Sequence, residues 1–329
     1  MARTGQRGFI LVATLWILAI ITIAATYFAE RVNRSIALAQ QKQETAEQLL
    51  AFANTRADIL FRLGTTPFSF YGLGGQPAIA LDDRPYRGAG GDIVRLQDNR
   101  GLLNVNFLEP EMMSRLLGQL GVPVEKRDAM IDTLRDYTDL DNLRRLNGAE
   151  AAEYAALNLP APPNDWLATP YQLKNIIGWR DQPGLWENQR LLRLVTASRI
   201  LGFNPNTAPL EILASLPGSN REIATAIIKA RNEKPLITDG QLLGLIAGAR
   251  LNLDFLVFYP ANSIRITHQH QKLPWAVQYC LTLTPQSENG PWRVDYYVKT
   301  ALPYVVENED KISSLPARAP RSPGDNEAL

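Results

Sequence analysis

The strongest pattern in the chain is an uncharged run near its start. No charged residue lies between Gly8 and Ala29, a stretch of 22 positions that Glu30 and Arg31 close. A helix of that length rises about 33 Å, enough to cross a hydrocarbon core of about 30 Å. A cleaved secretory signal is the alternative, but its apolar region spans only about 7–15 residues. The pattern therefore favours a retained membrane helix over residues 9–29.

The helical pattern continues past the membrane segment. Residues 30–63 contain neither Gly nor Pro and are rich in Ala, Gln, Glu and Leu, all of which favour helices. Apolar residues become more frequent toward the end of this stretch. We therefore predict one helix over residues 9–63, ended by Gly64, whose last turns lay an apolar face on a sheet.

The rest of the chain divides into two strand-like ends and a helical middle. Short alternating stretches predict strands at 78–81, 92–96, 263–267, 275–284 and 292–300. Residues 102–258 instead show repeated helix signals, with Pro near helix starts and Gly near helix ends. The predicted fold class is α+β: a long N-terminal helix packed on a small antiparallel sheet, with a large all-helical insertion.

The predicted domain organisation follows from these patterns. The head takes its first strands from residues 64–101 and its remaining strands from residues 259–306, on either side of the insertion. Residues 307–329 contain three Pro and little apolar material, which predicts a disordered tail.

Two stretches of the insertion resemble each other. LLNVNFLEPEMMSRLL (102–117) and GFNPNTAPLEILASLP (202–217) both place Asn-x-Asn before a Leu-rich helix. An internal duplication and a chance likeness are both compatible with so weak an identity.

The second stretch also resembles a helix-hairpin-helix unit, whose hairpin can bind a phosphate. Its hairpin, Pro217 to Asn220, lacks one glycine of the usual pair, and residues 203–250 carry five basic and four acidic residues. So small a positive charge would neutralise few phosphates. We therefore expect a packing motif and no nucleic-acid partner; a membrane-anchored DNA-binding protein of a competence-like system is the alternative.

Composition excludes several classes of site. Lys and Arg number 34 against 33 Asp and Glu, and Cys280 is the only cysteine, so disulfides within the chain and Cys-based metal sites are excluded. His268 and His270 alternate on one predicted strand and are expected to be exposed, whereas Cys280 is expected to be buried. No nucleophile motif is present, and we predict that the chain is not an enzyme.

An acidic segment is the one candidate for metal binding. Residues 108–160 carry ten acidic and six basic residues, and Asp136, Asp139 and Asp141 lie close together in sequence, with Glu150 following. Calcium takes six to eight oxygen ligands from irregular acidic loops of this kind. Ion pairs with Arg144 and Arg145 are the alternative use of these carboxylates.

The N-terminus carries a more specific motif. A short basic leader with Arg3 and Arg7, then Gly8, Phe9 and the apolar helix, resembles the type IV prepilin signal. The resemblance implies that prepilin peptidase cleaves after Gly8 and that Phe9 becomes N-methylated, with residues 1–8 as the leader. The fifth mature residue of most pilins is Glu, whereas Ala13 stands here.

These features together resemble the K-type minor pseudopilins of type II secretion. That family lacks the Glu, and it carries an Asp-rich segment running into Gly-Ala-Glu and Tyr, here 136–154, then a Pro-rich stretch, here 159–178, and an Asn-x-Asn-Thr-Ala-Pro helix start, here 204–209.

The resemblance implies a subunit of the periplasmic pseudopilus tip, assembled with I- and J-type minor pseudopilins. It also implies calcium in the insertion, for which we name Asp136, Asp139, Asp141 and Glu150. The chain would then lie in the bacterial inner membrane, crossing it once, with its N-terminus cytoplasmic and its head periplasmic, because basic flanks stay in the cytoplasm.

Overall fold

The computed structural model describes residues 7–75, 77–88, 90–246, 253–269, 275–301 and 312–316. The chain forms two compact units that meet between Ala53 and Asn54. From Arg7 onward the first unit is helical, and the second contains the sheet and the insertion.

One uninterrupted helix, α1, runs from Arg7 to Thr65. The large apolar side chains from Ile10 to Phe28 are exposed, with Ile10 at 65% and Leu15 at 67% of their full exposure, which is typical of a segment that meets lipid. Its last turns belong to the second unit, where Ile59 is fully buried. The predicted helix is confirmed, and it continues one residue beyond Gly64.

The second unit is built on a six-stranded sheet. Its strands are β3 (Asp82–Arg87), β4 (Ile93–Asp98), β7 (Ser263–Gln269), β8 (Trp275–Leu283), β9 (Trp292–Ala301) and β10 (Ser313–Ser314). Their order across the sheet is β10-β3-β4-β7-β8-β9. Neighbouring strands from β3 to β9 are antiparallel, and β10 lies parallel to β3. A separate hairpin, β1 (Phe68–Ser69) and β2 (Gly72–Leu73), precedes β3.

Comparison with the predicted strands gives two corrections. The strand expected at 78–81 is absent; Ile79 makes only an isolated bridge to Leu73, and pairing begins at Asp82. Part of the predicted tail is ordered, because Ser313 and Ser314 pair with the edge of β3. Residues 307–311 and 317–329 of that tail lie outside the described residues. The three strands predicted after residue 258 are confirmed.

The last turns of α1 pack on one face of the sheet. Ile59 and Leu63 contact a cluster that includes Leu96, Ile266 and Leu281, all nearly fully buried. The alternating positions of β7 and β8 direct these apolar side chains to the same face. This cluster is the core that joins helix and sheet.

The insertion lies between β4 and β7. Its helices are α2 (Pro110–Gln119), α3 (Val124–Thr138), α4 (Ala151–Ala156), α5 (Pro183–Trp186), α6 (Arg190–Leu194), α7 (Leu210–Ser215), α8 (Arg221–Glu233) and α9 (Asp239–Leu245), with 3-10 turns at Asn99–Gly101, Pro170–Asn175, Glu187–Gln189 and Leu253–Phe255. The insertion is not all-helical, because β5 (Leu103–Asn104) and β6 (Val195–Thr196) form a parallel pair. The apolar faces of its helices form a core of their own.

The insertion also covers the second face of the sheet. Arg265 on β7 is 2% exposed, and its guanidinium donates to the carbonyl oxygens of Leu192 (2.9 Å) and Arg193 (2.8 Å). On β8, Gln278 accepts from the hydroxyl of Tyr171 at 3.2 Å. The central strands are therefore covered on both faces, by α1 on one side and by the insertion on the other.

The two similar stretches are equivalent in structure. In both, the first Asn of the Asn-x-Asn motif accepts a hydrogen bond from the backbone of the second: Asn106 donates to Asn104 and Asn206 donates to Asn204, each at 3.0 Å. This turn fixes the chain in front of the helix that follows.

The second Asn of each motif then binds a distant loop through its amide side chain. Asn106 accepts from the backbone nitrogen of Leu167, and Asn206 accepts from that of Leu236, both at 2.9 Å. The same two side chains donate to the carbonyl oxygens of those two leucines. The turn or helix after each loop starts with a capping box, at Thr169–Gln172 and Thr238–Gln241.

A parallel strand contact closes each copy. Leu103 pairs with Val195 in the first, and Phe203 pairs with Leu256 in the second. Because motif, loop contact, cap and closing pair recur in the same order, the insertion is an internal duplication.

Candidate functional site

The N-terminal motif lies within the first turns of α1. Gly8 and Phe9 follow Arg7, where the helix begins, and Ala13 lies one turn further along. Among the described residues, the stretch from Ile10 to Thr65 is long and apolar enough to cross a membrane by length and composition, a test that a signal sequence also passes. One apolar helix that could anchor the chain in a membrane is therefore present.

The acidic segment follows the end of α3. Asp139 directly follows the last residue of α3, Asp141 lies in the loop after it, and Glu150 directly precedes α4. One carboxylate oxygen from each of these three side chains lies within 4.8 Å of the other two. The structure therefore brings together three of the four predicted ligands.

Asp136, the fourth predicted ligand, is outside this group of three. It is fully buried and accepts hydrogen bonds from the backbone nitrogen of Arg145 (3.1 Å) and from its guanidinium (2.7 Å). Gly148 contacts the same carboxylate so closely that a Cβ would lie 1.9 Å from Asp136 Oδ2. A glycine is required at this position by the close approach.

The two arginines of the segment form ion pairs, as the alternative interpretation predicts. Arg145 bridges two carboxylates, with Nη1 2.7 Å from Asp136 and 2.5 Å from Asp139. Arg144 instead pairs with Glu153 at 2.9 Å. Asp139 and Asp136 hold the pKa of Arg145 above its ordinary value through these hydrogen bonds.

Negative charge remains uncompensated around Glu150. Its side chain is 5% exposed. Glu150 begins α4 in a capping box with Glu153, but neither of its carboxylate oxygens has a close hydrogen-bond partner among the described residues. Oδ1 of Asp139 is also buried without a hydrogen bond. Burial, and then the nearby charges of Asp136, Asp139 and Asp141, raise the pKa of Glu150. Buried carboxylates without partners are costly, and their hard oxygens suit calcium or magnesium.

The helix-hairpin-helix resemblance leads to no phosphate site. The hairpin between α7 and α8 uses its polar groups internally: the backbone nitrogen of Ser219 donates to Leu216, and the side chain of Asn220 accepts from the backbone nitrogen of Ile223. Ser219 is 4% exposed, and its carbonyl oxygen accepts from Arg115. The DNA-binding alternative gains no support.

His268 contradicts its prediction. It is 2% exposed, with Nδ1 3.3 Å from Asp92 and Nε2 2.9 Å from the hydroxyl of Tyr279. Thr55 of α1 donates to the same Asp92 at 2.6 Å. The prediction was wrong because β7 is a central strand and α1 covers this face. His270 lies outside the described residues, and the expected burial of Cys280 is confirmed.

Sequence reasoning missed a buried carboxylate at the root of the insertion. Asp98, the last residue of β4, is fully buried and accepts four hydrogen bonds of 2.8–3.0 Å, from the backbone nitrogens of Arg100 and Ala261 and from the side chains of Asn204 and Thr207. Arg100 lies where the chain leaves the sheet, Asn204 and Thr207 lie in the second copy, and Ala261 lies where the chain returns to the sheet. Asp98 therefore joins the sheet to the insertion.

Comparisons with known proteins agree with the motif resemblance. Residues 93–199 match the family described as "Type II secretion system (T2SS), protein K". Among solved structures, the chain is similar to "The Crystal Structure of the GspK-GspI-GspJ complex from enterotoxigenic Escherichia coli Type 2 Secretion System". That match has a TM-score of 0.49 and 16% sequence identity, and covers 81% of this chain and 98% of that chain. No curated protein matches the chain. Residues 93–199 are therefore similar to protein K of type II secretion, as the sequence motifs predict.

Proposed function

We propose that the chain is a minor pseudopilin of a type II secretion system that lies at the tip of the periplasmic pseudopilus with I- and J-type minor pseudopilins. The observation that carries this proposal is the family match over residues 93–199. In that position the subunit supports protein export across the outer membrane and needs no catalytic group.

A secretion assay tests this role. We expect a strain lacking the gene to lose secretion and to regain it with the full chain. Affinity capture of the tagged chain from membranes should recover the I- and J-type subunits. Restored secretion without recovery of those two subunits would contradict the proposed partners.

The anchor is proposed to lie in the inner membrane, with the head in the periplasm. Arg3 and Arg7 precede the apolar segment, and positive flanks stay in the cytoplasm. A cysteine-accessibility experiment decides the orientation: a Cys at exposed Asp128 should react with a membrane-impermeant maleimide in intact spheroplasts. Reaction only after the membrane is permeabilised would contradict a periplasmic head.

Processing by prepilin peptidase is proposed at Gly8, with methylation of Phe9. The mass of the chain isolated from membranes tests both, because the mature chain would lack eight residues and carry one added methyl group. A chain that begins at Met1 with a free amine would contradict the proposal.

Ala13 supports a position at the tip. In pilins, the Glu at this place is thought to meet the N-terminal amine of the neighbouring subunit already in the fibre. A subunit without it docks poorly onto a subunit above, and a bulky insertion blocks further growth, so both features suit the last position. We expect Ala13→Glu to appear along the fibre in immunogold images, and unchanged placement at the tip would contradict the electrostatic part.

Calcium is proposed to bind at Asp139, Asp141 and Glu150. The support is their mutual approach within 4.8 Å and the buried, unbonded oxygens of Glu150. The ion would supply the positive charge that these oxygens lack. Isothermal titration of the detergent-solubilised full chain with calcium should show binding that Glu150→Gln weakens at least tenfold. Glu125→Gln, an exposed carboxylate of α3, is the matched control and should bind as the unsubstituted chain does.

A further inference from the structure

We infer that the guanidinium of Arg145 takes the place of a metal ion between Asp136 and Asp139. The remaining half of the acidic segment, formed by Asp139, Asp141 and Glu150, then has room for one divalent ion. This inference rests on the proposed calcium site. It names the residue that limits how many calcium ions the site binds and how tightly it binds them.

The contacts of Arg145 resemble those of a bound ion. A single nitrogen, Nη1, lies 2.7 Å from Asp136 Oδ1 and 2.5 Å from Asp139 Oδ2, so one positive charge is shared by two carboxylates. The backbone nitrogen of the same residue donates to the other oxygen of Asp136. Both oxygens of Asp136 are thereby used, which explains why this buried residue is absent from the group of three.

Asp139 belongs to both halves of the segment. Its Oδ2 contacts Arg145, whereas its Oδ1 is buried without a hydrogen bond. A metal ion held by Asp139, Asp141 and Glu150 would therefore share this carboxylate with the guanidinium. Two cations on one carboxylate repel each other, so Arg145 weakens the affinity of the remaining half.

The charges favour a single ion. Asp136, Asp139, Asp141 and Glu150 carry four negative charges at most, and Arg145 reduces the total to −3. One divalent ion then brings the cluster to −1, whereas a second would make it positive. Without Arg145, two divalent ions would balance the four carboxylates.

The duplication makes this part of the chain suitable for substitution. In the first copy, residues 139–166 separate the end of α3 from Leu167, whereas in the second copy only residues 234–235 separate the end of α8 from Leu236. The acidic segment is thus an addition to a repeat that the second copy forms without it. We therefore expect single substitutions at its surface to change ion binding before they change the fold.

Native mass spectrometry and isothermal titration of the detergent-solubilised full chain with calcium chloride test the inference. We expect one calcium ion per unsubstituted chain, and for Arg145→Gln a second ion or at least a tenfold tighter first ion. Arg145→Lys keeps the charge and should restore the single ion. Arg144→Gln is the matched control, since Arg144 pairs with Glu153 outside the group of three, and should bind as the unsubstituted chain does.

The remaining outcomes separate the inference from the site on which it rests. If Arg145→Gln binds one ion with unchanged affinity, Arg145 does not limit the site, although the calcium site itself stands. If Arg145→Gln keeps its far-ultraviolet circular dichroism but loses calcium, Arg145 supports the ligands and the inference is overturned. If no variant binds calcium, the proposed site fails and the inference fails with it.

Discussion

Replacing Asp98 by Asn tests how the insertion is held on the sheet. The substitution keeps the size of the side chain but exchanges one acceptor oxygen for a donating amide. Oδ1 accepts from the backbone nitrogens of Arg100 and Ala261, and Oδ2 accepts from the side chains of Asn204 and Thr207. The backbone donors cannot change direction, so the new amide would face the two side chains.

The magnitude follows from those two contacts. The hydroxyl of Thr207 can rotate and accept from the new amide, but Asn204 would present a donor to a donor. Turning the Asn204 amide over would remove the acceptor used by the backbone of Asn206. A hydrogen bond to a charged group contributes about 1.5–3 kcal/mol, and an unpaired buried donor costs about 1–3 kcal/mol. Relief of the buried charge offsets part of this loss, and we expect Asp98→Asn to lower the free energy of unfolding by about 2–4 kcal/mol.

The loss should depend on pH in a defined direction. Burial raises the pKa of Asp98, against the lowering effect of its four hydrogen bonds. The folded state therefore binds a proton more tightly than the unfolded state, whose pKa is about 4. As the pH falls through the raised pKa toward 4, the unsubstituted protein gains stability that an amide side chain at this position, which does not titrate, cannot supply. The deficit of Asp98→Asn should be larger near pH 5 than at pH 8.

Urea unfolding of the full chain in detergent, followed by tryptophan fluorescence at both pH values, measures this deficit. Asp128→Asn is the control, because Asp128 is an exposed carboxylate of α3 and should change stability by less than about 0.5 kcal/mol. If Asp98→Asn matches this control, the four-donor account of the insertion root is refuted. A deficit that grows toward pH 8 would instead show that the four hydrogen bonds outweigh burial and lower the pKa of Asp98, which would contradict the expected pH dependence.

Five further substitutions test the packing, each by the same urea assay. Gly88→Ala would place a Cβ 2.3 Å from the nearest side-chain oxygen and should cost about 1–3 kcal/mol, whereas Gly244→Ala, in a helix with open space, should be neutral or stabilising. Trp179→Phe removes a buried hydrogen bond of 2.8 Å and should cost about 2 kcal/mol. Asn106→Ala and Asn206→Ala should each cost about 2–3 kcal/mol, and limited proteolysis should cut a different loop in each, near Leu167 and near Leu236. Equal cleavage patterns would contradict the assignment of each Asn to its own loop.

The elements that could be predicted from sequence are those set by local pattern. The long helix follows from the absence of Gly and Pro over residues 30–63, and the strands near 263, 275 and 292 follow from their alternation. Alternation indicates which residues share a face, but it does not indicate what covers that face. This is why His268 was expected to be exposed although α1 buries it.

The candidate site was only partly predictable for a similar reason. Composition identified an acidic segment. It could not show that the side chains of Asp136 and Asp139, near the end of α3, point in different directions. The role of Asp98 depends on donors more than 100 residues away in sequence, which no local pattern contains. Only the fold brings them together.

The contacts that maintain the repeat involve other residues than the candidate ion-binding residues. Both carry the Asn-x-Asn turn, the amide contact to a distant loop and the closing parallel pair, so these features maintain the repeat. The second copy supplies Asn204 and Thr207 to Asp98. The first copy contacts the sheet through Tyr171 and through the carbonyl oxygens of Leu192 and Arg193. Only the first copy carries the acidic segment, within residues 139–166. The second copy has only residues 234–235 at the equivalent position. Because none of these hydrogen bonds to the sheet involves residues 139–166, a change in ion binding need not move the insertion on the sheet.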